Sequence, residues 1–219
     1  MLDMHADWTT IPWVIVDTET TGVDAQTCGL VEVAAVRVER GEIVAEFSEL
    51  VNPGMPIPEK AQEVHGISDA MVEGAPTAVL VAPALDDFCR GAVPVAYNAP
   101  YDRSVIHRTM PGGSSPVFDR ALSWVDVYVI VASARCDKFV KGAGRLKLSA
   151  ACARRGIVHE SQHRALGDAR ATALLLLRLL ADTRVKPCAL GKLLQHTDAA
   201  RAEQQRDFAQ WRARQPPRV

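Results

Sequence analysis

Cysteine is scarce in this chain and poorly arranged for pairing. Five occur in 219 residues, at positions 28, 89, 136, 152 and 188. The number is odd, there is no C-x-x-C, and no pair stands at zinc-ligand spacing with a histidine. That argues against a disulfide scaffold or a structural zinc ribbon, and makes free thiols in a reducing cytoplasm the expectation. Aromatic residues are only 5% of the chain. Trp8, Trp13, Trp124 and Trp211 form no stacking series, and the middle two read as core. Long apolar runs are also missing. The longest candidate, residues 171–181, is interrupted by Thr172 and Arg178, so no membrane span is expected. Residues 1–7 have neither the basic region nor the apolar centre of a signal peptide. There are no internal repeats. Net charge is −1, which rules out a global attraction to nucleic acid and leaves room only for a local basic groove.

What is present suffices for one well-buried domain. The apolar share is 48% over 219 residues, enough for a full core and too short a chain for two comfortable ones. Residues 12–17 read as a buried strand. Residues 31–38 and 43–51 form a hairpin around a tight turn at Arg40-Gly41-Glu42. Three prolines in 52–58 exclude regular structure there, and Pro58 suits the first turn of a short helix. A helix is predicted over 77–90, with Gly91 as its stop, and a fourth strand over 93–97. Further helices are predicted over 100–110, 129–135, 147–155 and 167–182, with a short fifth strand within 121–127. In the last helix Leu174, Leu175, Leu177, Leu179 and Leu180 are expected to be buried. This order predicts an α/β domain with a mixed sheet of about five strands.

After Thr183 the pattern changes. Residues 184–219 hold eight basic side chains against three acidic ones, a local balance of +5. A short helix over 185–195 and a polar one over 198–214 are expected, with Phe208 and Trp211 on one face. The expected division is a folded α/β domain at 1–183 and a basic, helical extension at 184–219. The extension is read as a partner-binding segment or a basic arm, in preference to a part of the core. A second basic cluster comprises Arg135, Lys138, Lys141, Arg145 and Lys147.

The chemistry is concentrated in three places. Val14-Ile15-Val16-Asp17-Thr18-Glu19-Thr20-Thr21-Gly22 is an apolar strand ending in two carboxylates. Alternation puts Asp17 and Glu19 on one face, where they repel unless a cation or proton lies between them. A divalent metal resolves that conflict. Asn98-Ala99-Pro100-Tyr101-Asp102 follows the fourth strand. His163-Arg164-Ala165-Leu166-Gly167-Asp168 opens the long Leu/Ala-rich helix. Four acids, one histidine and no cysteine at these positions suit hard, oxygen-preferring metals. A five-residue spacing is past one helical turn, so His163 is placed on the loop before the helix, and Gly167 permits a close backbone approach.

These three motifs, read as D-x-E, N-A-x-x-D and H-x-x-x-x-D, resemble those of the DEDDh exonucleases. The likeness is greatest to the DnaQ-type proofreading epsilon subunits of bacterial DNA polymerase III. Val64-His65-Gly66-Ile67 between the first two motifs adds to it, and the resemblance covers about residues 10–183. Position 164 is Arg, which excludes the branch that carries tyrosine there. The resemblance implies a ribonuclease H-like fold and 3′→5′ hydrolysis of single-stranded DNA ends to nucleoside monophosphates with two Mg2+ or Mn2+ ions. Asp17 would bridge both ions, Glu19 and Asp168 would hold the ion carrying the attacking water, and Asp102 would hold the second. His163 would be the general base.

Thr18, Thr20 and Gly22 would present the turn to the terminal nucleotide and Val23 would wedge against its base. His65 would lie over its sugar or make a structural hydrogen bond at a helix end. Asn98 is read as a helix cap, and His5, His107, His159 and His196 as surface residues. Partners implied are a DNA (or RNA) 3′ end and a polymerase subunit at the extension. The alternatives are an exoribonuclease or oligonucleotide-trimming enzyme of the same chemistry, and an inactive exonuclease-like binding module.

Overall fold

The computed structural model describes residues 3–7, 10–133, 147–181 and 189–213. Five strands form one mixed sheet: β1 (Trp13–Thr20), β2 (Leu30–Glu39), β3 (Glu42–Leu50), β4 (Val93–Ala96) and β5 (Val125–Asp126), in the order β3-β2-β1-β4-β5. β2 pairs antiparallel with both β1 and β3, while β4 pairs parallel with β1 and β5 parallel with β4. Arg40 and Gly41 both take positive φ, 52° and 83°, the two-residue turn whose twist matches the flanking strands.

Helices cover both faces. They are α1 (Glu59–His65), α2 (Asp69–Val72), α3 (Ala78–Cys89), α4 (Ala99–Thr109), α5 (Val127–Ser133), α6 (Leu148–Ala153), α7 (Ala165–Leu180) and α8 (Leu190–Ala213). The expected α/β, ribonuclease H-like mixed sheet is therefore present. The four-residue α2 was not anticipated.

β1 lies in the middle of the sheet and is buried on both sides. Trp13 and Ile15 face a core shared with α5, α6, α7 and α8, and Val14 and Val16 face a second core shared with α3 and α4. This explains its unbroken apolar run, since a central strand covered on both faces has no solvent side. It also aims the motif. Asp17 and Glu19 continue the parity of Trp13 and Ile15, toward α7, and Thr18 continues the parity of Val14 and Val16, toward α4.

Two expectations change. In α7 it is Leu175, Leu176 and Leu179 that are fully buried, whereas Leu174 is 41% exposed. The buried stripe is set by the sheet surface beneath it, and a run of four leucines leaves the phase open. The C-terminal segment is one helix, α8, in place of two, and its first turns are not detached from the core. Leu190, Leu193 and Leu194 belong to the same cluster as Trp13 and Ile15. The N-terminal segment fastens the helix start: Leu190 N–H donates to the Ala6 carbonyl at 3.0 Å and Gly191 N–H to the Met4 carbonyl at 2.9 Å.

The side chains of His196, Phe208 and Trp211 lie outside the described residues, as do Trp8, Arg135, Lys138, Lys141 and Arg145. Trp13 and Trp124 are core, and Cys28, Cys89 and Cys152 are free and buried. Among the described residues no helix is long and apolar enough to cross a membrane.

Candidate active site

The strand end, α4 and α7 converge on one point. Asp17, Glu19 and Asp168 each offer a carboxylate oxygen, and these oxygens all lie within 4.8 Å of one another. Asp102 joins from α4, its Oδ1 accepting a hydrogen bond from Thr18 Oγ1 at 2.7 Å. The four acids thus assemble from elements far apart in sequence, and the parity of β1 accounts for both halves of the contact.

Bringing them together has an electrostatic cost visible at every member. Burial, then the charges of Asp102, Asp168 and Glu19, push Asp17 well above the usual carboxylate range. Burial and the neighbouring acids raise Glu19 to about 8. Asp102 is raised to about 7 by burial, against the Thr18 hydrogen bond that lowers it. Asp168 is also raised, by burial above all. Converging carboxyl groups held in this state are what a divalent cation with oxygen ligands compensates. The donor set contains carboxylates and no thiol, so the residues present fit a hard metal ion.

Asp168 has two further partners. His159 Nε2 lies 2.5 Å from Asp168 Oδ1, and His163 N–H donates to the same oxygen at 3.3 Å. His163 stands in the turn before α7, exposed, with φ of 60°. That is the loop position expected of it. His159 is not the surface residue that the sequence predicts: its side chain is only 6% exposed. Gly167 is required by close approach, because a Cβ there would collide with the Ser161 backbone carbonyl. His107 is likewise not a free surface group; its Nε2 meets the Val117 carbonyl at 2.9 Å.

Glu32 was not singled out in the sequence. It sits directly across from Glu19 in the β1–β2 register, with 2% exposure. Arg164 grips it with two hydrogen bonds, Nε to Oε2 at 3.1 Å and Nη2 to Oε1 at 2.7 Å. Ala165 N–H donates to Oε2 at 2.9 Å. One carboxylate therefore neutralises the arginine and satisfies an otherwise orphaned donor at the α7 N-terminus. It also fixes the turn on which His163 stands. A glutamate in an alternating strand, opposite another, gave no local signal; its partner lies 132 positions away.

The residues expected around the terminal nucleotide are placed as follows. Thr18 spends its hydroxyl on Asp102. Thr20 Oγ1 donates to the Gly22 carbonyl at 2.7 Å, and Tyr101 Oη to the same carbonyl at 2.6 Å. Gly22 has no positive φ and open space around it. Val23 is 96% exposed at the tip of the turn. His65 is buried; its Nδ1 accepts from Ile67 N–H at 3.1 Å, and its Nε2 has no hydrogen-bond partner among the described residues. Asn98 occupies the cap position of α4 without capping it. Its side chain makes no bond to the helix, and its Oδ1 accepts from Arg201 Nη2 at 2.6 Å.

A β-hairpin-plus-parallel-strand sheet carrying four converging acids defines a nuclease of the carboxylate, metal-dependent class. The chain belongs to the RNase_T exonuclease family, whose model matches residues 14–176. A DNA polymerase III subunit epsilon-like protein of Rhodobacter capsulatus is 40% identical over 184 residues, covering 80% of this chain and 25% of its own. A DNA polymerase III of the PolC type from Streptococcus suis is 31% identical over 174 residues, covering 80% of this chain and 11% of its own. The chain thus spans a quarter or less of these relatives.

Among solved structures, exonuclease X in complex with 5′ overhanging duplex DNA superposes with a TM-score of 0.63 at 28% identity. The match covers 83% of this chain and 99% of that one. The nuclease domain of 3′hExo, a DEDDh family member bound to rAMP, gives 0.64 at 19% identity, covering 83% and 98%, and supports the fold. The 3′→5′ exonuclease assignment of the domain, expected from the three motifs, is borne out.

Proposed function

We propose that the domain shortens single-stranded DNA from its 3′ end, hydrolysing the last phosphodiester to release a nucleoside 5′-monophosphate. The observation that carries this is the convergence of Asp17, Glu19 and Asp168 within 4.8 Å, with Asp102 anchored beside them. Asp17, Glu19, Asp102 and Asp168 would hold two divalent ions, Mg2+ or Mn2+. Bound there, such ions supply a nucleophile at neutral pH and offset charge on the phosphoryl oxygens and the leaving 3′-oxygen.

The protein's own groups do the rest. His163 takes a proton from the attacking water at an imidazole nitrogen. Its loop position lets the ring reach over the cluster, while its backbone stays tied to Asp168. Water adds across the P–O3′ bond, and the shortened strand keeps a 3′-hydroxyl. The turn at Thr20 and Gly22, held by Tyr101, presents its backbone to the terminal nucleotide. Val23 stands free to wedge against the base, while His65, buried and accepting the Ile67 N–H, supports the helix end behind the turn.

DNA is favoured because the two relatives named above are DNA polymerase III proteins and exonuclease X was captured on DNA. Work alongside a polymerase is proposed on the same ground. The deciding experiment digests end-labelled DNA and RNA of one sequence with Mg2+, with Mn2+ and with chelator. A ladder from the 3′ end of DNA, abolished by chelator, is expected. A faster RNA ladder would assign the activity to RNA, and cleavage unaffected by chelator would remove the metal from the proposal.

A further inference from the structure

Arg201, on α8, reaches back to the catalytic side of the sheet. Its Nη2 donates to Asn98 Oδ1 at 2.6 Å, just before the helix that carries Asp102. Its Nη1 lies 3.6 Å from Asp126 Oδ2, a carboxylate only 4% exposed at the end of β5. Its guanidinium lies over the ring of Tyr128 on α5, 5.9 Å from the centroid. Tyr128 in turn meets Tyr97 edge-on, with centroids 5.9 Å apart and planes at 87°. Arg201, Asn98, Tyr128 and Tyr97 line a cleft shared with His163 and Asp168 and bounded also by Lys147, which is exposed.

The position of this cleft gives it a role. A scissile phosphate at the four carboxylates has its 3′-terminal nucleoside on one side, against the turn at Thr20–Gly22 and His65. The rest of the strand must leave on another side. The cleft opens from Asp168 and His163 and supplies what a preceding nucleotide needs. Tyr128 and Tyr97 offer aromatic surface, and Arg201 and Lys147 offer positive charge. Arg201 is held by Asn98, Asp126 and Tyr128 together, so it is oriented before any strand arrives.

We propose that this cleft is the binding subsite for the nucleotide immediately upstream of the scissile bond. Arg201 of α8 and Lys147 meet the phosphodiester backbone there, and Tyr128 supports the base. The proposal rests on the exonuclease reading for the location of the scissile phosphate. It gives the C-terminal helix a function inside the site: α8 forms one wall of the channel. The ligand is a phosphodiester strand, from DNA or from RNA, since none of these contacts reads the 2′-position.

The test measures equilibrium binding of a short fluorescent DNA strand, and of the same strand in RNA, to the full chain in calcium as salt is varied. Arg201→Gln should weaken binding and make the salt dependence shallower by about 0.7 per lost single-strand phosphate contact. Tyr128→Leu should weaken it by about 5–150-fold, the range of one stacked base. Asp126 would be left unpaired by Arg201→Gln, so Arg201→Gln/Asp126→Asn is measured beside it as a variant with no stranded buried charge.

In turnover, the loss of kcat/KM on the oligonucleotide should exceed that on the p-nitrophenyl ester of thymidine 5′-monophosphate, which has no upstream nucleotide. Equal losses on both substrates would overturn the subsite and leave Arg201 a prop for Asn98 and Asp102. Unchanged binding and salt slope in the folded double variant would overturn it too. A wild-type protein that cleaves no strand, while the variants still bind less, would sink the exonuclease reading and the upstream placement that rests on it, and keep only a strand-binding cleft. Parallel losses for DNA and RNA are expected. A loss confined to RNA would overturn the sugar-blind form proposed here.

Discussion

His159 Nε2 and Asp168 Oδ1 lie 2.5 Å apart, on the same oxygen that receives the backbone N–H of His163. Two histidines of one loop therefore serve one carboxylate in different ways, one through its ring and one through its backbone. In the proposed mechanism this arrangement would separate positioning, by His159, from proton transfer, by His163. His163→Ala should lower kcat by about 10²–10⁴-fold, the usual range for a general base, with metal affinity retained. His159→Ala should instead weaken metal binding or activity by about 10–100-fold, as losses of outer-sphere partners do. Calorimetric titration of Mn2+ and kcat on both variants decide it. If His159→Ala gave the larger fall in kcat with metal affinity intact, the two roles would have to be exchanged.

Asp17 is the acid that faces all the others. Asp17→Asn should abolish detectable hydrolysis and leave the fold intact, because its removal relieves repulsion in the metal-free state while depriving the ions of a shared ligand. The readouts are a chelator-controlled digestion and a melting curve without metal. A variant that melts lower than the wild type would show that Asp17 contributes to stability in a way the geometry does not contain.

The same repulsion sets a pH dependence. Glu19 moves from an ordinary 4.5 to about 8 in the folded protein. Below 4.5 both folded and unfolded chains hold the proton; between 4.5 and about 8 the folded chain holds it and the unfolded chain has released it. Metal-free stability therefore falls as pH rises through that window. Asp102, raised to about 7, acts in the same direction over the lower part of it. Divalent ions need the ionised ligands, so their stabilisation should grow over the same window. At a hundredfold excess over Kd it amounts to about 2.7 kcal/mol. Melting temperatures at pH 5.5 and 8, with chelator and with Mn2+, check this. A metal-free protein that melts higher at pH 8 would refute it.

The four converging acids are visible in the sequence and their supports are not, for a physical reason. Asp17, Glu19, Asp102 and Asp168 lie in short motifs beside a strand end or in a helix's first turn, where neighbours along the chain explain them. Glu32, His159 and Arg201 acquire meaning only through partners brought by folding: from β2 to the turn before α7, from a loop to α7, and from α8 to the end of β5. Arg164 was noticed only as a residue unfit for the tyrosine branch, while its actual work is the grip on Glu32. The strands are legible because short apolar runs in β1 and β4, and alternation in β3, are bounded by turn residues. The continuity of α8 was not, because a polar helix with one buried end looks like two fragments.

The Glu32–Arg164 pair can be dissected from either side. Arg164→Ala leaves a 2% exposed carboxylate with only Ala165 N–H for company, opposite Glu19. Breaking a fully buried pair costs about 3–5 kcal/mol, and the 42% exposure of the Arg164 side chain places this loss below that range. Glu32→Gln keeps a hydrogen-bonding group in place and leaves an arginine whose side chain is 42% exposed and can rehydrate. It should cost less. Chemical denaturation gives both numbers; the reverse order would mean that the arginine stabilises the turn by packing and not by charge.

Deleting the chain from Ala189 onward tests how α8 belongs to the fold. The cut removes Leu190, Leu193 and Leu194 from the cluster that holds Trp13 and Ile15, and it frees the carbonyls of Met4 and Ala6. Each fully buried leucine is worth about 1.5–3 kcal/mol, so the three approach the whole stability of a typical domain, about 5–15 kcal/mol. The truncated protein should melt many degrees lower or fail to fold. A partner-docking tail would leave the melting temperature unchanged and remove only an association, and a basic arm would change only the salt dependence of strand binding. Cutting instead after Arg201 keeps the three leucines and the contacts to Asn98 and Asp126, and should spare most of the stability. If both truncations melted like the full chain, the packing of α8 against the sheet would contribute nothing, and residues 184–219 would be the separable extension that their composition first indicated.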